Sequence, residues 1–146
     1  MLTGCCLVIA FRWHGPCRFP NLKRVRGDVM VYLYSTMPML SSATFTSIFP
    51  VLEVVEGSLV FMGSESSHDN VTTLGPDALP RLQKVFGTLR LQNMVRLTSV
   101  EGAFSNLTEV GGLQLHNLKR LPALGSRAFS NLTTVKSESA MRPSFF

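Results

Sequence analysis

No stretch of this sequence holds a 3.6-residue apolar period over three turns, and that absence argues against a helical protein. Nor is any transmembrane segment expected. Met1–Phe11 is apolar but falls well short of the roughly 20 residues that a spanning helix needs. It lacks the basic start of an export signal and runs directly into Arg12, Trp13 and His14, so no leader is expected there. Leu2-Thr3-Gly4-Cys5 has the letters of a lipoprotein cleavage box, without the apolar stretch that should precede one.

Charge is scarce as well. Charged residues make up 16% of the chain against 45% apolar ones, a balance that excludes disorder for the bulk of it. The net charge of +5 comes from scattered cations, and only Lys23, Arg24 and Arg26 cluster. No base-stacking aromatics interleave them, so no nucleic-acid partner is expected. The nine acids are dispersed, and neither a nucleophile elbow G-x-S-x-G nor a phosphate-cradling G-x-x-x-x-G-K-S/T occurs. Catalysis needs converging acids, or a nucleophile with its base, so neither an enzyme nor a cofactor is expected.

Cysteine is limited to Cys5, Cys6 and Cys17, which permits at most one intrachain bridge. Two readings stand side by side: apolar thiols in a first strand, or a Cys6–Cys17 disulfide that implies an oxidising compartment. His14 beside these thiols does not make a zinc site. There is no C-x-x-C pair, vicinal thiols ligate one ion awkwardly, and His68 and His116 stand alone. No metal is expected.

Glycine and proline, by contrast, are spread along the whole chain and cut it into short segments, which favours many brief strands. Self-comparison shows why. FPNLKRVRG (Phe19–Gly27), FPVLEVVEG (Phe49–Gly57), LPRLQKVFG (Leu79–Gly87) and FSNLTEVGG (Phe104–Gly112) align, with a truncated FSNLTTVK (Phe129–Lys136) as fifth copy. Successive copies start 30, 30, 25 and 25 residues apart.

Each column has a physical reading. The first, Phe19, Phe49, Leu79, Phe104 and Phe129, is a large core anchor. The fourth is always leucine: Leu22, Leu52, Leu82, Leu107 and Leu132. The seventh is always valine, Val25, Val55, Val85, Val110 and Val135, and β-branching suits a pleated surface better than a helix. Gly27, Gly57, Gly87 and Gly112 fill the ninth, which predicts a corner needing positive φ or close backbone approach.

A short alternating strand follows each glycine: Val29 and Val31, Leu59 and Phe61, Leu89 and Leu91, then Leu113 and Leu115 one residue early. Gly4 and Leu7–Ile9 read as the remains of an earlier copy. In the return legs Asn93 and Asn117 fall at equivalent places, as do Leu97 and Leu121. The extra residues of the first two periods predict protruding loops within Tyr32–Thr46 and Met62–Asp77. One repeat of this size cannot bury its apolar face alone, so the copies must stack as a parallel β-solenoid of about five rungs of 25–30 residues.

The phrases FPNLKRVRGDVMVYL and FPVLEVVEGSLVF resemble the receptor L domain of insulin- and epidermal-growth-factor-type receptors, over about Phe19–Val135. Ala103–Leu107 and Ala128–Leu132 are similar to the A-F-x-N-L phrase of leucine-rich-repeat surface proteins. The resemblance implies a right-handed β-helix with leucine-rich-repeat character, at the cell surface or outside the cell, binding a protein ligand through one face. The bracketing cysteines of that family are missing at the C-terminal end, and the last copy stops before its glycine. Since the matching positions are core positions, no ligand contact is carried over.

Candidate sites are therefore read from the residues. In register, Lys23 is expected over Glu53 and Arg26 over Glu56, cross-strand pairs that would fix the sheet. The sequons at Asn70, Asn106 and Asn131 are glycosylation candidates, Asn70 within a loop. Asn106 and Asn131 share a column, which equally predicts a stacked amide pair or turn hydrogen bonding. Tyr32, Tyr34, Met37 and Met39 are interface candidates, with core lining as their alternative. Residues 1–136 read as one repeat domain and 137–146 as a loose tail. Function is expected to be non-catalytic binding of a protein ligand or of neighbouring repeats. The alternatives are rungs of a longer wall or adhesion array, or an intracellular leucine-rich scaffold.

Overall fold

The computed structural model describes residues 6–10, 19–32, 49–63, 71–76 and 78–136. These residues form an all-β structure with no helix, organised on a parallel sheet of eight strands: β1 (Cys6–Ala10), β2 (Arg24–Val25), β3 (Asp28–Tyr32), β4 (Val54–Val55), β5 (Leu59–Met62), β6 (Lys84–Gln92), β7 (Glu109–His116) and β8 (Thr134–Val135). Every pair of strands is parallel.

Pairing follows the repeat residue for residue. Arg24, Val54, Lys84, Glu109 and Thr134 are successive partners, as are Val25, Val55, Val85, Val110 and Val135. A second row joins β1, β3, β5 and the later halves of β6 and β7, so Leu7 lies in register with Val29, Leu59, Leu89 and Leu113. The apolar N-terminal segment is thus a strand of the sheet. The sheet comprises two ladders that meet at a corner. In the first two copies the corner separates short strands, and in the third and fourth one strand runs through it.

The recurring columns build the core. Leu52, Leu82 and Leu107 are fully buried, and so are Val55, Val85 and Val110. Phe49, Leu79 and Phe104 join them, with Phe19 stacked on Phe49 at 5.8 Å and Phe129 on Phe104 at 5.3 Å. Each such side chain taken from water contributes about 1.5–3 kcal/mol before entropy is counted. The last copy is more open, and Phe129, Leu132 and Val135 are only partly buried.

Return-leg residues also join the core. Met94, Leu97 and Val100 of the third copy and Leu118 and Leu121 of the fourth are buried. Part of the expected loop Met62–Asp77 also belongs here. Val71 and Leu74 are buried, and Thr73 bridges in parallel to Ser99, so 71–76 is a packed leg and does not protrude. Residues 64–70, 77 and 33–46 lie outside the described residues, as does the expected tail 137–146.

Of the two reasons expected for the glycine column, close backbone approach is the one that applies. Positive φ occurs at Gly102 and Gly125, not at Gly27, Gly57, Gly87 or Gly112. Close approach is the operative reason: a Cβ on Gly87 would lie 2.6 Å from the Gly57 carbonyl carbon and from the Ser58 hydroxyl. In the fourth copy this role passes to Gly111, whose Cβ would overlap the Phe86 carbonyl oxygen. Register shifts between Val85 and Thr88, where Phe86 and Gly87 together oppose Gly111, and Gly112 pairs with Thr88. Such a bulge explains why Leu113 comes one residue early.

Candidate interaction surface

Alternation turns Val29 and Val31 inward and leaves Met30 and Tyr32 on the outer face of the second ladder. Two further columns result: Met30, Val60, Arg90 and Gln114, of which Val60 is buried, and Tyr32, Met62, Gln92 and His116. The inward columns, Val29, Leu59, Leu89 and Leu113 and Val31, Phe61, Leu91 and Leu115, stay apolar, whereas these pass from apolar to polar residues. Tyr32 is half-buried, and its hydroxyl lies 3.9 Å from the Met30 sulfur. Arg90 Nε is buried without an acceptor among the described residues. Leaving a donor so is costly, which singles Arg90 out on this face. Of this surface, sequence reasoning named only Tyr32. The alternation after each glycine was the signal for the remainder.

A shallow open groove of about 630 Å³ lies on another flank, lined by Glu53, Arg81, Gln83, Asn106, Thr108 and Asn131 among others. Its regularity comes from the N-x-T triplets. Asn106 Nδ2 donates to the Pro80 carbonyl at 2.5 Å, and Asn131 Nδ2 to that of Ser105 at 2.7 Å. Thr108 and Thr133 hydroxyls likewise donate to Gln83 and Thr108 carbonyls, at 3.1 and 3.0 Å. Each triplet is a clasp onto the preceding copy. The expected stacking of Asn106 on Asn131 is not formed, because each amide is drawn to a backbone carbonyl instead. The stacked amide pair is Asn93 with Asn117: Asn117 Nδ2 donates to Asn93 Oδ1 at 3.0 Å, and both residues adopt left-handed φ, 57° and 53°.

Charges pair differently from expectation. Neither Lys23–Glu53 nor Arg26–Glu56 forms an ion pair among the described residues. Arg24 reaches diagonally to Glu56 at 3.2 Å. Columns six and eight share a face, and the long Arg24 side chain spans the two-residue offset. Glu109 is held between Lys136 and Lys84, the latter at 3.5 Å. Its hydrogen bond and attraction to Lys136, then the attraction of Lys84, hold its carboxyl below the ordinary value of 4.5 against some desolvation. Lys136 also lies 5.2 Å from the ring centre of the exposed Phe86.

Of the other sequence-derived candidates, Asn70, Cys17, Tyr34, Met37 and Met39 lie outside the described residues. Cys6 begins β1 in register with Asp28. No group of three His, Cys, Asp or Glu converges on an ion-sized site among the described residues. Among them, too, no helix is long and apolar enough to cross a membrane. No protein family, curated protein or solved structure matches this chain.

Proposed function

We propose that the chain is a right-handed parallel β-solenoid of about five rungs, similar to a receptor L domain, and that it serves as a non-catalytic protein-binding module at the cell surface or outside the cell. One observation carries the reading: the inward columns stay apolar in every copy, while the outward columns of the second ladder pass from apolar to polar residues along the sheet. A scaffold whose repetition is spent on packing leaves its outer face free to specify a partner. That face mixes methionine, tyrosine and arginine, the residue types enriched at interface centres.

The test uses the secreted, folded chain immobilised against a panel of purified ectodomains. Saturable binding to at least one of them, weakened at least tenfold by Tyr32→Ala with Met62→Ala and unchanged by Lys119→Ala on the return leg, supports the reading. A monodisperse, folded chain that binds none of them, or binding indifferent to the double substitution, overturns it. A second reading, rungs of a longer structural array, is favoured by the partial exposure of Phe129, Leu132 and Val135 in the last copy.

A further inference from the structure

The groove beside the N-x-T clasps holds polar groups that the protein does not use internally. Its lining comes from successive copies: Glu53 of the second, Pro80, Arg81 and Gln83 of the third, Asn106 and Thr108 of the fourth, Asn131 and Thr133 of the fifth. Among the described residues, no ion pair or side-chain hydrogen bond engages the Glu53 carboxylate, the Arg81 guanidinium or the Gln83 amide. The clasps fix what the rest presents. Thr108 and Thr133 spend their hydroxyl hydrogens on carbonyls of the preceding copy, so their oxygens remain as acceptors only. Asn106 and Asn131 each donate one amide hydrogen inward and keep a second N–H and the Oδ1 acceptor. Donors and acceptors therefore stand mixed along the groove, already held in place.

We propose that this groove binds a neutral, extended oligosaccharide, one sugar unit to each copy. The site lies on a different flank from the second ladder's outer face and is independent of the protein-binding reading. Sugar hydroxyls donate and accept at once, which suits a lining that offers both. An anionic ligand would meet Arg81 but also the unpaired Glu53 carboxylate, and the two charges offset each other. Spacing decides between sugar and peptide. Paired strands lie about 4.8 Å apart, whereas an extended peptide advances about 3.3 Å per residue and falls out of register after one step. A pyranose unit in an extended chain advances by nearly one strand spacing and keeps the register. The Pro80 ring supplies an apolar surface for the C–H face of one unit. Because the clasps hold both asparagines before a ligand arrives, little side-chain freedom is lost on binding.

Isothermal titration calorimetry tests this on the full chain, produced without glycosylation so that Asn106 and Asn131 carry no sugar of their own. The probes are cellotetraose and chitotetraose, their disaccharides, and a heparin tetrasaccharide as anionic counterpart. One neutral tetrasaccharide should bind saturably, and about tenfold or more tightly than its disaccharide, since several copies line the groove. Arg81→Ala with Gln83→Ala should weaken it by about tenfold or more and leave the β-type circular dichroism spectrum unchanged, both side chains being exposed. Tyr32→Ala with Met62→Ala should have no effect, which separates this site from the protein-binding face. No binding of either neutral tetrasaccharide, equal affinity for disaccharide and tetrasaccharide, or a preference for heparin overturns the inference. So does binding that ignores the Arg81 and Gln83 substitutions or is lost with those at Tyr32 and Met62.

Discussion

The first two copies and the next two carry the same consensus yet turn their corner by different means. Between β2 and β3, and again between β4 and β5, the strand breaks, and a side chain replaces the missing ladder bond. Asp28 Oδ1 accepts the Ser58 N–H at 2.7 Å, and Ser58 Oγ accepts that of Thr88 at 3.0 Å, each one repeat onward. In β6 and β7 the backbone runs through the corner on a bulge, with Gly111 tucked under the Phe86 carbonyl. Beyond the strand, the shorter return legs bring Asn93 and Asn117 into contact. One sequence pattern thus has two local solutions: polar side chains satisfy the backbone where it bends away, and continuous pairing does so where it need not.

The sharpest way to break the continuous corner is Gly111→Ala. The new methyl group meets the carbonyl oxygens of Phe86 and Gly87, the latter at 2.6 Å, and backbone cannot move aside as a side chain can. A loss of about 3 kcal/mol is expected, at the upper end of overpacking costs, read from the urea midpoint. If Gly111→Ala melts like the wild type, the bulge does not hold the fourth copy.

A smaller effect separates the two solutions. Asp28→Ala leaves the Ser58 N–H of the broken corner without its acceptor, and Asn93→Ala removes the buried acceptor of the Asn117 amide. Each should cost roughly 1 kcal/mol, the lower end of the range for an orphaned polar group, because both hydrogen bonds are only partly buried. Asn93→Ala should be the worse, because alanine also tolerates a φ of 57° poorly. Hydrogen exchange should then show Asp28→Ala loosening β5 and Asn93→Ala loosening the return legs at 94–100 and 118–121. Uniform loosening in both variants would mean that the two corners are not independent.

What was legible in the sequence follows from the same contrast. The phenylalanine, leucine and valine columns could be read because core packing restricts each position to one shape, and repetition displays that restriction four or five times. Parallel pairing, its register and the early strand around Leu7 and Ile9 followed from them. The polar positions were less legible. Long side chains choose among several neighbours within reach, so Arg24 took Glu56 where a straight ladder assigned Arg26. Asn106 turned to a carbonyl instead of to Asn131. The bulge was visible only as Leu113 arriving one residue early, and the column containing Arg90 has no consensus to betray it.

The smallest expected effect lies at the end of the continuous half, where Glu109 sits between Lys84 and Lys136. Because these cations hold its carboxyl below 4.5, the folded chain binds that proton less readily than the unfolded one. Glu109 therefore adds stability above its ordinary value, and the contribution fades as pH falls through the lowered folded value. Urea midpoints of the wild type and Glu109→Gln should differ most near neutral pH and converge in acid. Raised salt should shrink the difference, since both lysines are about half exposed. A gap that persists unchanged into acid would mean that Glu109 acts through packing alone, and that the first and last ion pairs of the sheet have no common electrostatic basis.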